Sequence, residues 1–144
     1  MPTTEKTKVK LIDARGPRFS AVITTLVLAA ALVTQSAVLI AIQLVVFAIG
    51  AFAGPANTPY ASLFKKFVKP RLKGEVPVED ARPPQFAQSV GLIFTVVALA
   101  GSLIAIPAIF TVAVGFALFA AFLNAAFNFC LGCEIYLLAL RAVK

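Results

Sequence analysis

Cys130-Leu131-Gly132-Cys133 contains both cysteines of the 144-residue chain, and Glu134 follows directly. A C-x-x-C spacing sets two thiols within one helical turn. They are then near enough to form a disulfide, share a persulfide or supply half of a metal shell. With two Cys and no His, one chain cannot complete a usual zinc or iron–sulfur shell, so no metal site is assigned and any cofactor is left open. The candidate catalytic set is Cys130, Cys133 and Glu134. Nearby Lys and Arg of the central segment favour thiolate, whereas an ionised Glu134 opposes it and a neutral one can shuttle protons. Cys133, nearer the expected aqueous side, is expected to make first contact with a partner. The competing reading is two small apolar side chains near a helix end, inert as membrane cysteines often are.

Upstream, Ala113, Ala117, Ala121 and Ala125 recur every four residues, a small-residue ridge that lets membrane helices approach closely. Asn124 and Asn128 lie beside it. Amides at that depth need partners, and Gln43 is the expected one, giving a polar clamp of Gln43, Asn124 and Asn128 that holds a bundle. A polar ligand site is the alternative. Phe110, Phe116, Phe119, Phe122 and Phe127 are expected on the other side, toward lipid. If the last apolar helix runs on unbroken, both cysteines lie opposite the ridge, unless Gly132 interrupts it.

The elements that must position these residues follow from the charges. The chain is 60% hydrophobic and only 13% charged, against about 25% charged in a soluble domain. No charge occurs between Arg18 and Lys65, an interval of 46 residues, or between Arg82 and Glu134, an interval of 51. A helix needs roughly 20 residues to cross a hydrocarbon core, so each interval holds two crossings. The expected fold is an all-α integral membrane protein with four transmembrane helices at 19–33, 37–53, 87–106 and 108–129. The short turns fall at 34–36 and 102–107. An apolar stretch this long exceeds the 7 to 15 residues of a signal-peptide core.

All 13 basic residues fall in the N-terminal segment, the central loop or the C-terminal end. Four crossings place these three segments on one side, and the excess of Lys and Arg marks it as cytoplasmic: N-in, C-in. The net charge of +7 is then an orientation signal and an attraction to anionic membrane lipids, and nucleic acid is not an expected partner. The domain reading is a basic segment 1–18, a first hairpin 19–53, a cytoplasmic loop 54–86, a second hairpin 87–130 and a C-terminal end 131–144.

Within the loop, residues 59–69 have a helical period. Tyr60, Leu63, Phe64, Phe67 and Val68 share one face, and Lys65, Lys66 and Lys69 the other. Thr58 is the expected N-cap, Pro59 the first helical residue and Pro70 the stop. This reads as an interfacial amphipathic helix. Residues 74–84 read as a proline-stiffened, ordered linker. Gly16-Pro17-Arg18-Phe19 and Pro83-Pro84-Gln85-Phe86 weakly echo one another ahead of the odd-numbered crossings.

Gly16-Pro17-Arg18-Phe19, Glu79-Asp80-Ala81-Arg82-Pro83-Pro84 with Phe86-Ala87-Gln88, and Phe122-Leu123-Asn124-Ala125 leading to Cys130-Leu131-Gly132-Cys133-Glu134 resemble a bacterial integral-membrane family catalogued as domain of unknown function 4395. The resemblance runs from about Gly16 to Arg141, with Cys-Leu-Gly-Cys-Glu its most specific part. It implies a neighbourhood of rhodanese-type sulfurtransferases and thioredoxin-like proteins, and marks Cys130, Cys133 and Glu134 as signature positions.

The leading expectation is a cytoplasmic-face thiol protein of the bacterial inner membrane that exchanges a disulfide, or carries sulfane sulfur, with a thioredoxin-like or sulfurtransferase partner. A quinone-coupled variant stays open, although one cysteine pair stands where such relays often employ two. The pair is expected to rest as free thiols, because structural disulfides are rare in a reducing compartment. One alternative is a non-catalytic accessory or scaffold subunit of a larger membrane complex. The other is a small sulfur-anion transporter assembled as a homo-oligomer.

Overall fold

The computed structural model describes residues 11–13, 15–71, 78–127 and 129–143. Lys6, Lys8, Lys10, Lys73, Asn128 and the start of the expected linker lie outside them. A short strand β1 (Leu11–Asp13) leads into α1 (Arg15–Thr34) and α2 (Ala37–Phe52). After a 3-10 turn at Pro55–Asn57 comes α3 (Pro59–Leu63), prolonged by a π turn at Phe64–Val68 and a 3-10 turn at Lys69–Arg71. Strand β2 (Val78–Asp80) precedes α4 (Arg82–Leu103), α5 (Pro107–Phe127) and α6 (Leu131–Val143).

Three helices, α1, α4 and α5, are long and apolar enough to cross a membrane. The fourth expected crossing, α2, has 16 residues, about 24 Å at 1.5 Å per residue, and is shorter than a full span. The two hairpins pack together, α2 chiefly on α4 and α1 on α5. Leu28, Ala31, Ile40, Ala98, Phe110, Ala113, Val114 and Ala117 form the core. Small residues permit this approach: a Cβ on Gly91 would lie 2.6 Å from the Phe47 ring. Phe110 is 2% exposed, which corrects its expected lipid-facing position. It lies three residues before Ala113, so it shares the buried face of α5. Phe116, Phe119, Phe122 and Phe127 do point outward.

Both hairpins turn through a left-handed residue that is not glycine, Gln35 (φ 53°) and Ala105 (φ 62°). At the second turn the Ala105 N–H donates to Ser102 O at 3.2 Å and the Ile106 N–H to Gly101 O at 2.9 Å, closing the last turn of α4 in the Schellman manner. At the first, the Ser36 hydroxyl accepts the Leu39 N–H and caps α2. A left-handed alanine costs about 1–2 kcal/mol. Ala105→Gly is therefore expected to raise unfolding stability by roughly 0.5–1 kcal/mol after the added chain entropy of glycine is discounted. Thermal unfolding in detergent reads this out.

The starts of α1 and α4 and the ends of α2 and α5 meet at one end of the bundle. β1 pairs antiparallel with β2, Leu11 opposite Asp80. Gln85 Nε2 donates to Ala51 O at 2.8 Å, and Arg18 Nε donates to Ala125 O at 3.1 Å. Asp13 ties this end together, accepting from the Arg15 backbone N–H (3.0 Å), Nε (3.0 Å) and Nη2 (2.8 Å), with Lys69 Nζ at 3.7 Å. The Arg15 side-chain hydrogen bonds hold the Asp13 carboxyl below the ordinary carboxylate range. Its stabilising contribution is complete above the unfolded carboxylate pKa and is lost as pH falls through the lower folded value. Acidification below about pH 4 should weaken the bundle, and Asp13→Asn should flatten that acid limb of the melting profile.

The strand ribbon was not expected; three-residue strands carry too little periodicity to read. The central amphipathic segment also differs. Thr58 does cap α3, its hydroxyl accepting the Ala61 N–H at 3.1 Å, and Pro59 follows at the first helical position. The helix then tightens and widens irregularly through the π and 3-10 turns, and Pro70 lies inside the last of them, not at the stop. Only Phe64 of the apolar stripe is deeply buried, its ring 5.6 Å from that of Phe19, whereas Leu63 and Phe67 remain 44% and 55% exposed.

Candidate functional site

Helix α5 stops at Phe127, two residues before the expected 129, and the chain turns before α6 begins. The Phe129 N–H reaches back to Leu123 O at 3.2 Å. Arg18 covers the carbonyls left over at the end of α5, with Nη2 at 3.4 Å from Ala126 O. Helix α6 then lies against α4, where Gly132 sits so close to Ala87 that a Cβ on it would be 2.7 Å from Ala87 Cβ and 2.8 Å from Ala87 Cα. Phe86 and Tyr136 pack at 5.5 Å between ring centroids in the same contact.

This reversal determines where the thiols go. They do not lie opposite the alanine ridge, as an unbroken helix would place them. They join Ala117, Ala121 and Asn124 around one cavity of about 410 Å³. The two cysteines are disulfide-bonded, with Cα atoms 5.1 Å apart, which corrects the expectation of resting free thiols. Cys130 occupies the N-cap position of α6: its Sγ accepts the Cys133 N–H at 3.1 Å, and its carbonyl accepts the Glu134 N–H at 3.0 Å. A sulfur there faces the positive end of a helix dipole and an unshared donor, the arrangement that lowers a thiol pKa. Cys133, the expected first contact, lies inside the first turn of α6. Both cysteines are partly exposed, and Glu134 in the first turn is exposed.

The cation that lines the cavity is Arg18. Among the described residues, Lys65, Lys66, Lys69 and Arg71 of the central segment do not line it. The remaining wall combines Phe47 and Phe94 with the polar side chains of Ser20, Thr24 and Gln88. Sequence reading missed Ser20 and Thr24, although their signal was present: two hydroxyls four residues apart inside an apolar run share one helix face.

Of the expected polar clamp, Gln43 and Asn124 are not hydrogen-bonded to each other. Gln43 is fully buried, but its Oε1 accepts the Tyr60 hydroxyl at 2.8 Å, and its Nε2 has no partner among the described residues. Burial pushes the Tyr60 pKa up, which keeps that hydroxyl protonated as donor. Asn124 lines the cysteine cavity instead, and Asn128 lies outside the described residues.

Fold and site together define a small helical protein of membrane type, two packed hairpins followed by a helix on α4 whose N-terminus carries a C-x-x-C disulfide. The chain belongs to the family described as Domain of unknown function (DUF4395), whose model matches residues 12–141. No curated protein and no solved structure matches it significantly.

Proposed function

We propose that the protein is a four-crossing bacterial inner-membrane protein, both termini cytoplasmic, whose Cys130–Cys133 pair cycles between dithiol and disulfide with a thioredoxin-like or rhodanese-type partner. The topology draws support from the common end of the bundle, where the ribbon, α3, Arg18 and α6 gather the basic segments. A short α2 can be accommodated by local bilayer thinning. On that topology the pair faces the cytoplasm, where a disulfide is ordinarily transient and catalytic.

The observation that carries the reading is the disulfide at the N-terminus of α6, with Cys130 Sγ already on a helix N–H. In exchange, a partner thiolate attacks one sulfur, the other leaves as thiolate, and a second partner thiol resolves the mixed disulfide. The test replaces both cysteines with Ser in the full chain and compares the partner's thiol redox state, sulfur transfer and partner binding in membranes. Loss of exchange is expected. Survival of all three would leave the scaffold reading, which the exposed Ile135, Leu138 and Leu140 of α6 favour. Sulfur-anion transport is the weakest alternative, because neither apolar interval carries a charge along which an anion could pass. Thiosulfate uptake into liposomes, compared with empty vesicles, checks it.

A further inference from the structure

The cavity beside the disulfide has features that thiol exchange with a soluble partner does not need. It extends from Cys130 and Cys133 between α1, α4 and α5 to Phe47 and Phe94, within three helices apolar enough to face lipid. Its volume, about 410 Å³, is that of a small-molecule site. Ser20 and Thr24 line it at 7% and 6% exposure, and neither hydroxyl has a hydrogen-bond partner among the described residues. Among the described residues the buried side-chain atoms without a partner are Gln43 Nε2 and Gln88 Oε1, the latter belonging to a residue of this wall, and such atoms are ordinarily paired. Gln88 and Asn124 add amide groups to the same wall. An apolar, aromatic-lined chamber with several donors suits a flat lipophilic molecule bearing carbonyl oxygens.

Its place among apolar helices, together with the electron balance, points to its class. After a soluble dithiol reduces the pair, two electrons must leave before the next cycle. The chain has 2 Cys, so no second pair can relay them. The acceptor must itself reach the thiols. Resting on the thiol–disulfide reading above, we infer that the cavity binds a membrane quinone, which re-oxidises the Cys130/Cys133 dithiol. The S–S bond forms, both S–H bonds break, and two electrons and two protons pass to the quinone oxygens to give the quinol. Ser20, Thr24, Gln88 and Asn124 are the candidate carbonyl-binding groups.

The experiment uses the full chain in detergent, reduced and freed of reductant, with decylubiquinone, whose ring carbons are all substituted and so resist thiol addition. Quinone loss is followed by ultraviolet absorbance and thiol loss by maleimide mass shift. The rate with a soluble aromatic disulfide is measured on each sample as reference. One quinone is expected to disappear per dithiol. The quinone rate relative to the reference should fall about tenfold when Ala121→Leu fills the chamber and when Ser20→Ala with Thr24→Val removes its hydroxyls. The second variant is nearly isosteric, which keeps the test valid if Ala121→Leu misfolds. Reaction with the disulfide but not with quinone overturns this inference and leaves the thiol reading standing. An unchanged relative rate in the isosteric variant also overturns it, since quinone would then be meeting the thiols from solution. Failure of both oxidants overturns both readings.

Discussion

Left alone in a Cys133→Ser variant, Cys130 is expected to alkylate roughly three- to tenfold faster at pH 7 than Cys133 does in the Cys130→Ser variant. Each unit of pKa lowering near neutrality raises the thiolate fraction nearly tenfold, while intrinsic nucleophilicity falls with pKa and offsets part of the gain. The asymmetry comes from position. Cys130 precedes the first residue of α6 and its sulfur accepts an N–H three residues on, whereas Cys133 lies inside the first turn. Iodoacetamide rates as a function of pH measure it, with the Cys130 profile displaced toward acid. Equal rates would mean that the helix terminus does nothing for the thiolate, and the choice of Cys130 would fall.

Gly132→Ala is expected to cost roughly 1–3 kcal/mol of unfolding stability and to slow thiol–disulfide exchange. The added methyl meets Ala87 Cα at 2.8 Å, a backbone atom that has no rotamer into which to retreat. Helix α6 must then shift off α4, taking both sulfurs with it. Gly115→Ala is the matched control. That position on α5 has open space within 4 Å, so the change is expected to be neutral or slightly stabilising. Melting in detergent and exchange with a soluble disulfide separate the two variants. Normal exchange in Gly132→Ala would show that the α4 contact does not position the pair.

The hairpins were legible because membranes exclude charge: the gaps from Arg18 to Lys65 and from Arg82 to Glu134 hold all of α2 and α5 and all but the first residues of α1 and α4. Thr58, Pro59 and the turn at 34–36 were equally plain, since capping and turning are local chemistry. The site was legible only as a list. Nothing between Phe127 and Cys130 is a glycine or proline, and Asn128, a weaker stop signal, was read as a bundle amide, so the break that returns α6 to α4 went unmarked. Without that break the cysteines point away from Asn124; with it they share a cavity. Gln43 was correctly marked as needing a partner, but Tyr60 arrives from a segment 17 residues on, through a tertiary path that periodicity does not encode. Phe110 was misplaced because an aromatic residue in a membrane helix fits lipid and core equally well.

Differential alkylation reads both the side of the membrane on which the Cys130/Cys133 pair lies and whether its bond is reversible. Cells carrying the full chain are treated with a membrane-impermeant maleimide, intact or permeabilised, with and without prior reduction, alongside the double Ser variant. No labelling of intact cells is expected, and labelling after permeabilisation should increase with reduction and vanish in the variant. Labelling of intact cells would place Cys130 and Cys133 on the opposite face, and labelling that reduction leaves unchanged would show that no disulfide forms there.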